Sequence, residues 1–330
     1  MPFSVLISGI GSIGSRHARN LRTLNTDQLI VCDPDHEKIS ALCKELNCEG
    51  YGDFSQALAK GKPDVVFICS PTSLHLPQAI LAARAGCNLF IEKPLSHSME
   101  GIDELERISS KNNLVTMVGC NMRFHPGPKK IKELLQEGCI GTPLSARLQT
   151  GSYLPRWRPD REYRKSYSAS LEEGGAILDC IHEIDLALWY FGKATLLHAV
   201  SLPARSLGLS VEGLAELLLQ HVSGTLTSLN LNFVQRDERR FCQIFGTLGS
   251  LYWDMERKRV DHYGEDGKCV SSLPVEPPHF TLNQMYIDEI RHFLDSVATQ
   301  TETHCPVSAA REILEIALNA RHDVLQPLSV

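Results

Sequence analysis

The chain has 330 residues, 43% of them hydrophobic and 22% charged, which is the composition of an ordinary globular protein with the length for two domains. A net charge of −6 without a long basic run argues against nucleic acid or an anionic membrane as a general partner, and no apolar stretch reaches the roughly 20 residues that span a bilayer. The start, "MPFSVLISGIG", reads as a strand rather than a basic leader with a cleavage site, and 11 cysteines without a C-x-x-C pair fit reduced, buried thiols in a cytoplasmic protein better than disulfides or a zinc site.

In chain order, "FSVLIS" is a short apolar run that stops at glycine, followed by the helical pattern "GIGSIGSRHARNLRTL". "QLIVCD" is a second strand, "PDHEKISALCKELN" a second helix, and "PDVVFICSP" a nearly continuous apolar run of the kind buried on both faces of a sheet. "SLHLPQAILAARAG" is helical, "CNLFIEKP" a strand, "SMEGIDELERISSKNN" helical and "LVTMVGC" a strand. This alternation predicts an α/β domain over residues 1–121: a doubly wound Rossmann sheet of parallel strands with right-handed crossovers.

Gly9-x-Gly11-x-x-Gly14 lies between the first strand and the first helix, and Asp33 closes the next strand. Alone the motif is weak; in this context it reads as a dinucleotide site. Gly9 permits the tight turn, Gly11 lets a pyrophosphate approach the helix N-terminus beside Ser12 and Ile13, and Gly14 lets helix and sheet pack closely. Asp33 can accept hydrogen bonds from the adenosine ribose hydroxyls and would repel a 2′-phosphate, so NAD is favoured over NADP. Arg16 is not placed by the sequence and could soften that preference.

Ligands of such sheets bind outside the carboxyl ends of the strands. Three segments belong there: "CSPTSLH", with Ser70, Pro71, Thr72 and His75; "EKP", with Glu92 and Lys93; and "GCNMRFHP", with Asn121, Arg123 and His125. Ser70, Pro71, Thr72, His75, Glu92, Lys93 and Asn121, with the glycine loop and Asp33, are the cofactor-binding candidates. Lys93 ends an apolar strand just before proline, which would set its ammonium over the cofactor cleft. Arg123 and His125 either hold substrate or start the second domain, and His75, just inside a helix, reads as structural rather than catalytic.

Residues 122–330 read as an α+β domain for substrate binding and oligomerisation. "GPKKIKELLQEG" is a helix, "LSARLQTGSYL" a strand, and the alternating runs of 211–263 imply a meandering antiparallel sheet, with final helices near 280–298 and 307–322. "GGAILDCIHEIDLALWYFG", Gly174 to Gly192, reads as one amphipathic helix. Asp179, His182 and Asp185 fan over about 120° of it, opposite Ile177, Cys180, Ile181, Ile184, Leu188 and Phe191. They are either a solvated face or a working one; the lack of any Lys or Arg between the two glycines favours the second.

The segment 152–170, "SYLPRWRPDREYRKSYSAS", concentrates Arg156, Arg158, Arg161, Arg164 and Lys165 with Tyr153, Trp157, Tyr163 and Tyr167. Arginines with aromatics suit a sugar that also carries a carboxylate or phosphate; a solvated loop is the alternative.

The glycine loop, "SPTSLH", "EKP", "NMRFHP", "GGAILDCIHEID", "FGTLGSLYWD" and "PVSAAREILEIALNAR" occur in an order that resembles the glucose-fructose oxidoreductase, inositol dehydrogenase and MocA family. The resemblance implies an N-terminal Rossmann domain, a C-terminal domain on an open, mostly antiparallel sheet, and bound NAD or NADP with hydride transfer at a hydroxyl carbon of a sugar, cyclitol or related compound; with Asp33 the reading is NAD-dependent transfer at a secondary hydroxyl of a sugar, sugar derivative or cyclitol. It implies Lys93 as the catalytic lysine, often before a cis proline; Glu92 near the nicotinamide ribose; and His182 as the proton-exchanging histidine. Many members carry an aspartate four residues before that histidine. Here Asp179 is three before it, so Asp179 or Asp185 is the orienting carboxylate. The 152–170 segment resembles branches of the family associated with surface-sugar biosynthesis. An NAD-dependent glycosidase with transient sugar oxidation and a non-catalytic sugar sensor are the rival readings. A homodimer or homotetramer is expected.

Overall fold

The computed structural model describes residues 3–157 and 162–322, which form two units. One contains the chain up to Asn121 together with Thr281–Leu314; the other contains Met122–Phe280 and the end of the last helix.

In the first unit β1 (Ser4–Ser8), α1 (Ser12–Thr23), β2 (Gln28–Cys32), α2 (His36–Leu46), β3 (Glu49–Tyr51), α3 (Phe54–Gly61), β4 (Val65–Ile68), α4 (His75–Arg84), β5 (Asn88–Ile91), α5 (Ile102–Lys111) and β6 (Thr116–Val118) alternate. The strands pair in parallel in the order β3-β2-β1-β4-β5-β6. The order reverses between β1 and β4, where such sheets open a ligand crevice. Val5–Ile7, Val65–Ile68 and Leu89–Ile91 are wholly buried, as strands covered on both faces must be. The side chain of Asp35 accepts hydrogen bonds from the Glu37 and Lys38 N–H groups and starts α2; Asp53 accepts from Gln56 and starts α3. β3 and α3, with three and eight residues, are too short to give a readable period.

In the second unit come α6 (Pro126–Gln136), β7 (Pro143–Tyr153), α7 (Ala176–Asp179), α8 (His182–Phe191), β8 (Ala194–Pro203), β9 (Glu212–His221), β10 (Leu226–Asn232), β11 (Val234–Gly246), β12 (Gly249–Asp254), β13 (Arg259–Gly264) and β14 (Cys269–Pro274). They form an eight-stranded sheet, β14-β13-β12-β11-β7-β10-β9-β8, antiparallel except where β7 and β10 run parallel. β9 buries Ala215, Leu217 and Leu219 and exposes Glu216, Leu218 and Gln220, the alternation of a sheet with one covered face. α7 and α8 lie against β7, β9 and β10 on that covered face.

Two further helices follow, α9 (Leu282–Thr299) and α10 (Val307–His322). α9 returns Phe293 to the first unit, where it sits edge-on, 5.6 Å from the stacked rings of Phe67 and Phe90. Fully burying one such ring stabilises by about 1.5–3 kcal/mol. Among the described residues, no helix is long and apolar enough to cross a membrane.

The stretch Gly174–Gly192 is not one helix. α7 ends at Asp179, Cys180 takes a non-helical conformation, and the Glu183 N–H reaches back only to Cys180, three residues away, before α8 settles into its regular ladder. The tightened turn changes the angular relation of Asp179 to His182 that a continuous 3.6-residue period would give.

Candidate active site

The glycine loop is set by close backbone approaches. Gly9 has φ +84°, and a Cβ on it would lie 2.6 Å from Cys69 O and Ser70 N at the end of β4. A Cβ on Gly14 would collide with the Gly9 carbonyl. Gly11 meets nothing within 4 Å. α1 begins with no side-chain cap and no acidic residue in its first turn, while Ser12 is exposed and Ile13 partly exposed. Uncapped N–H groups at the positive end of a helix, beside an open glycine, fit a pyrophosphate.

Asp33, 9% exposed, braces this loop: Oδ2 accepts the Ile10 N–H at 2.9 Å and Oδ1 accepts the Asp35 N–H at 3.0 Å. Each oxygen keeps acceptor capacity for a ribose hydroxyl. Arg16 lies over the Tyr286 ring of α9, 4.6 Å from its centroid.

On the same carboxyl edge, Ser70 donates to Gln78, Pro71 is exposed and Thr72 is buried. Both ring nitrogens of the buried His75 lie 2.9 Å from carbonyl oxygens, those of Pro94 and Ser70, so His75 ties the turn after β4 to the turn after β5. Glu92 is 8% exposed and its carboxylate is turned inward: Oε1 lies 2.6 Å from His17 Nε2, and Oε2 accepts the Lys93 N–H at 3.2 Å. Lys93 is partly exposed and the Lys93–Pro94 bond is cis. Asn121 is buried, and its Oδ1 has no hydrogen-bond partner among the described residues. A bare amide oxygen at this edge fits a cofactor that brings its own donor.

In the second unit, the solvated-face reading of Gly174–Gly192 fails. Asp179 is 6%, His182 8% and Asp185 0% exposed, and Leu178 and Leu186 on the same side are buried as well. The missing counter-charges come from other elements. Asp185 accepts from Arg123, with Nη2 at 2.5 Å and Nε at 3.0 and 3.2 Å, in a pair sealed from water. Glu183, to which the sequence assigned no role, pairs with Arg240 of β11 at 2.8 Å. Arg123 also lies 5.7 Å from the Trp189 ring. His125 caps α6, its Nδ1 accepting the Gly127 N–H at 3.0 Å; burial pushes its pKa down to about 4.

α7 is anchored from below. The carboxylate of Glu212 occupies the space that Gly175 leaves by having no side chain, and Arg321 of α10 reaches it at 3.3 Å while donating to the carbonyls of Leu171 and Glu172. Burial raises the pKa of Glu212, Arg321 opposes the rise, and Asp179 adds to it.

The 152–170 segment divides. Arg236 stacks on Tyr153, 3.9 Å from the ring centroid, and Arg156 lies 5.7 Å from the same ring while donating to the Arg236 carbonyl. Neither guanidinium has an acidic partner among the described residues. Arg164 covers Tyr163 and pairs with Glu162 at 3.4 Å. Trp157 donates to Ser152 and meets Phe233 edge-on. Leu154, Trp157, Tyr163 and the exposed Tyr167 bound a cavity of about 440 Å³. Arg158 and Arg161 lie outside the described residues. Arg236, Arg240 and Glu212 escape a sequence reading because nothing local marks a strand Arg or Glu as the partner of a residue dozens of positions away.

Known proteins agree with this architecture. Residues 3–120 match the family described as "Oxidoreductase family, NAD-binding Rossmann fold", and residues 129–252 match the "GFO/IDH/MocA C-terminal domain". The oxidoreductase YrbE of Bacillus subtilis is 27% identical over 98% of this chain and 95% of its own. Myo-inositol 2-dehydrogenase of Thermotoga maritima is 26% identical over 88% and 87%. UDP-N-acetylglucosamine 3-dehydrogenase of Acidithiobacillus ferrooxidans is 25% identical over 96% and 95%; its solved structure superposes with a TM-score of 0.82 at 24% identity, covering 98% of each chain.

Proposed function

The chain belongs to the Gfo/Idh/MocA oxidoreductase family, with its NAD-binding Rossmann fold, and from that premise we propose that it is a dehydrogenase transferring hydride at a secondary hydroxyl of a sugar, sugar derivative or cyclitol. The observation that carries this reading is one sheet edge. The glycine loop after β1, Asp33 after β2, Ser70–Thr72 after β4, Glu92–Lys93 after β5 and Asn121 after β6 all follow the carboxyl ends of parallel strands. Relatives that act on myo-inositol and on UDP-N-acetylglucosamine support the substrate class.

Bound NAD supplies the hydride acceptor. Gly9, Gly11, Ser12, Ile13 and Gly14 hold its pyrophosphate at the start of α1, and Asp33 its adenosine ribose. Ser70, Pro71, Thr72, His75, Glu92 and Asn121 frame the reacting end. Lys93 stabilises the oxygen that gains charge, and His182 takes the hydroxyl proton. Asp179 orients the imidazole and supports its cationic form. Asp185, occupied by Arg123, acts by holding α8 in place. Tyr153, Arg156, Trp157, Arg164 and Tyr167 serve an anionic group on the substrate.

In this division residues up to 121 bind cofactor, supported by 281–314, and the rest of 122–330 serves substrate and self-association. The protein works in the cytoplasm as a homodimer or homotetramer, a state that light scattering after size exclusion would measure directly.

The test is kinetic. His182→Asn is expected to lower kcat by about 10²–10⁴-fold with NAD affinity near wild type. Lys93→Met is expected to depress kcat with the melting temperature unchanged. Wild-type turnover by His182→Asn would transfer the base to Tyr153, Tyr163 or Tyr167.

A further inference from the structure

His17 lies on the buried face of α1 with Gly14, Ala18 and Leu21, a stripe where an apolar residue is the ordinary occupant. It is fully buried, its ring centroid 5.3 Å from that of Phe90, 5.7 Å from Phe67 and 5.9 Å from Tyr286. A polar ring in such surroundings is costly unless it is hydrogen-bonded. Its Nδ1 has no partner among the described residues, whereas Nε2 lies 2.6 Å from Glu92 Oε1. A hydrogen on Nε2 donates to the carboxylate and anchors the ring there.

The other carboxylate oxygen, Glu92 Oε2, accepts the backbone N–H of Lys93. Gly119 of the neighbouring strand end makes room: a Cβ there would lie 3.3 Å from the Glu92 carboxylate. The Glu92 N–H is held by Ile68 O at 2.9 Å, so the backbone before Lys93 is fixed from the sheet and the carboxylate is fixed from α1.

We propose that His17 is a positioning residue for Lys93, acting through the Glu92 carboxylate. The helix whose N-terminus faces the cofactor's phosphates is thereby tied to the peptide that presents the lysine, and settling of that helix sets where the ammonium stands. The proposal rests on the reading that Lys93 serves the reaction. It adds a residue that touches neither substrate nor cofactor.

Four variants test it: His17→Leu, which removes the bond and keeps the volume; His17→Gln, whose amide can reach the carboxylate; His17→Asn, which is too short to reach it; and Lys93→Met. The substrate is the sugar giving the largest NADH signal in a panel of free and nucleotide-linked sugars. His17→Leu is expected to lower kcat by about 10- to 100-fold while NADH binding, read by fluorescence, stays near wild type; the melting temperature falls as well, because the Glu92 carboxylate loses its partner. His17→Gln is expected to recover most of the loss, and His17→Leu to add little in the Lys93→Met background. A purely structural His17 would move melting and leave kcat alone. Wild-type kcat in folded, NADH-binding His17→Leu, with Lys93→Met impaired, overturns this proposal alone; wild-type kcat in Lys93→Met overturns the underlying reading. A second measurement needs no substrate and covers a Leu variant that fails to fold. Pulse acetylation with acetic anhydride, read on the Lys93 peptide by mass spectrometry, is expected to change by about threefold or more in His17→Asn, with the other lysines unchanged. An unaltered Lys93 rate would overturn the proposal.

Discussion

The loop Gly9–Gly14 and the stretch Gly174–Gly192 both advertise chemistry in the sequence, but they are held in different ways. The loop is fixed by backbone: Gly9 against the end of β4, Gly14 against Gly9, and the Ile10 N–H on Asp33. Its requirements are the absence of side chains at particular spacings. The second stretch is fixed by charge: Asp185 by Arg123, Glu183 by Arg240, and the start of α7 by Glu212 and Arg321. An added Cβ at Gly9 or Gly14 meets backbone, whereas loss of one member of a buried pair leaves the other charge uncompensated.

The largest expected effect breaks the second kind. Arg123→Met leaves the Asp185 carboxylate buried without its cation, which typically costs about 3–5 kcal/mol. Arg123→Met with Asp185→Leu should recover much of that, because apolar replacement of a buried pair is often neutral. The same chemistry at Arg19, whose pair with Glu45 is half exposed, should cost less than about 1 kcal/mol. Chemical denaturation of the variants checks all three; equal losses at Arg123 and Arg19 would contradict the contrast.

A smaller effect sharpens the first kind. Asp33→Asn keeps an acceptor for one brace of the loop and removes the charge, whereas Asp33→Ala removes both braces. Loss of a hydrogen bond to a charged group, about 1.5–3 kcal/mol, predicts roughly 10- to 100-fold weaker NAD binding and a relative gain for NADP. Calorimetric titration of both cofactors measures it, and a wild type that prefers NADP would show that Asp33 does not set the choice.

The smallest effect concerns the arginines. Arg156→Gln and Arg236→Gln should each raise the substrate KM several-fold, by about 1 kcal/mol, with cofactor affinity unchanged. Arg164, already paired with Glu162, should matter less. Equal KM values in all three, with melting controls, would make the segment a solvent loop.

The same contrast explains what the sequence disclosed. The parallel sheet, its order of elements and its glycine loop were legible because strand burial and turn glycines are local signals. The mostly antiparallel second sheet was legible too, though not the parallel pairing of β7 with β10, which depends on where a distant strand inserts. The single helix expected over Gly174–Gly192 is broken at Cys180, where tertiary packing overrides a sound period. The absence of Lys and Arg in that stretch was a true signal of burial, but the identities of Arg123 and Arg240 as partners were not, because ion pairing across a fold leaves no spacing rule. His17 was hidden for a related reason: in sequence it is one polar residue in an amphipathic helix, and only the meeting of α1 with the end of β5 gives it a partner.

The most direct measurement is NADH formation at 340 nm by the wild-type protein across free and nucleotide-linked sugars and cyclitols, with Lys93→Met and His182→Asn in parallel. Steady, substrate-dependent NADH production from at least one secondary alcohol is expected, lost in both variants while NADH still binds. Substrate consumed without net NADH, or NADH formed equally by wild type and both variants, would contradict it.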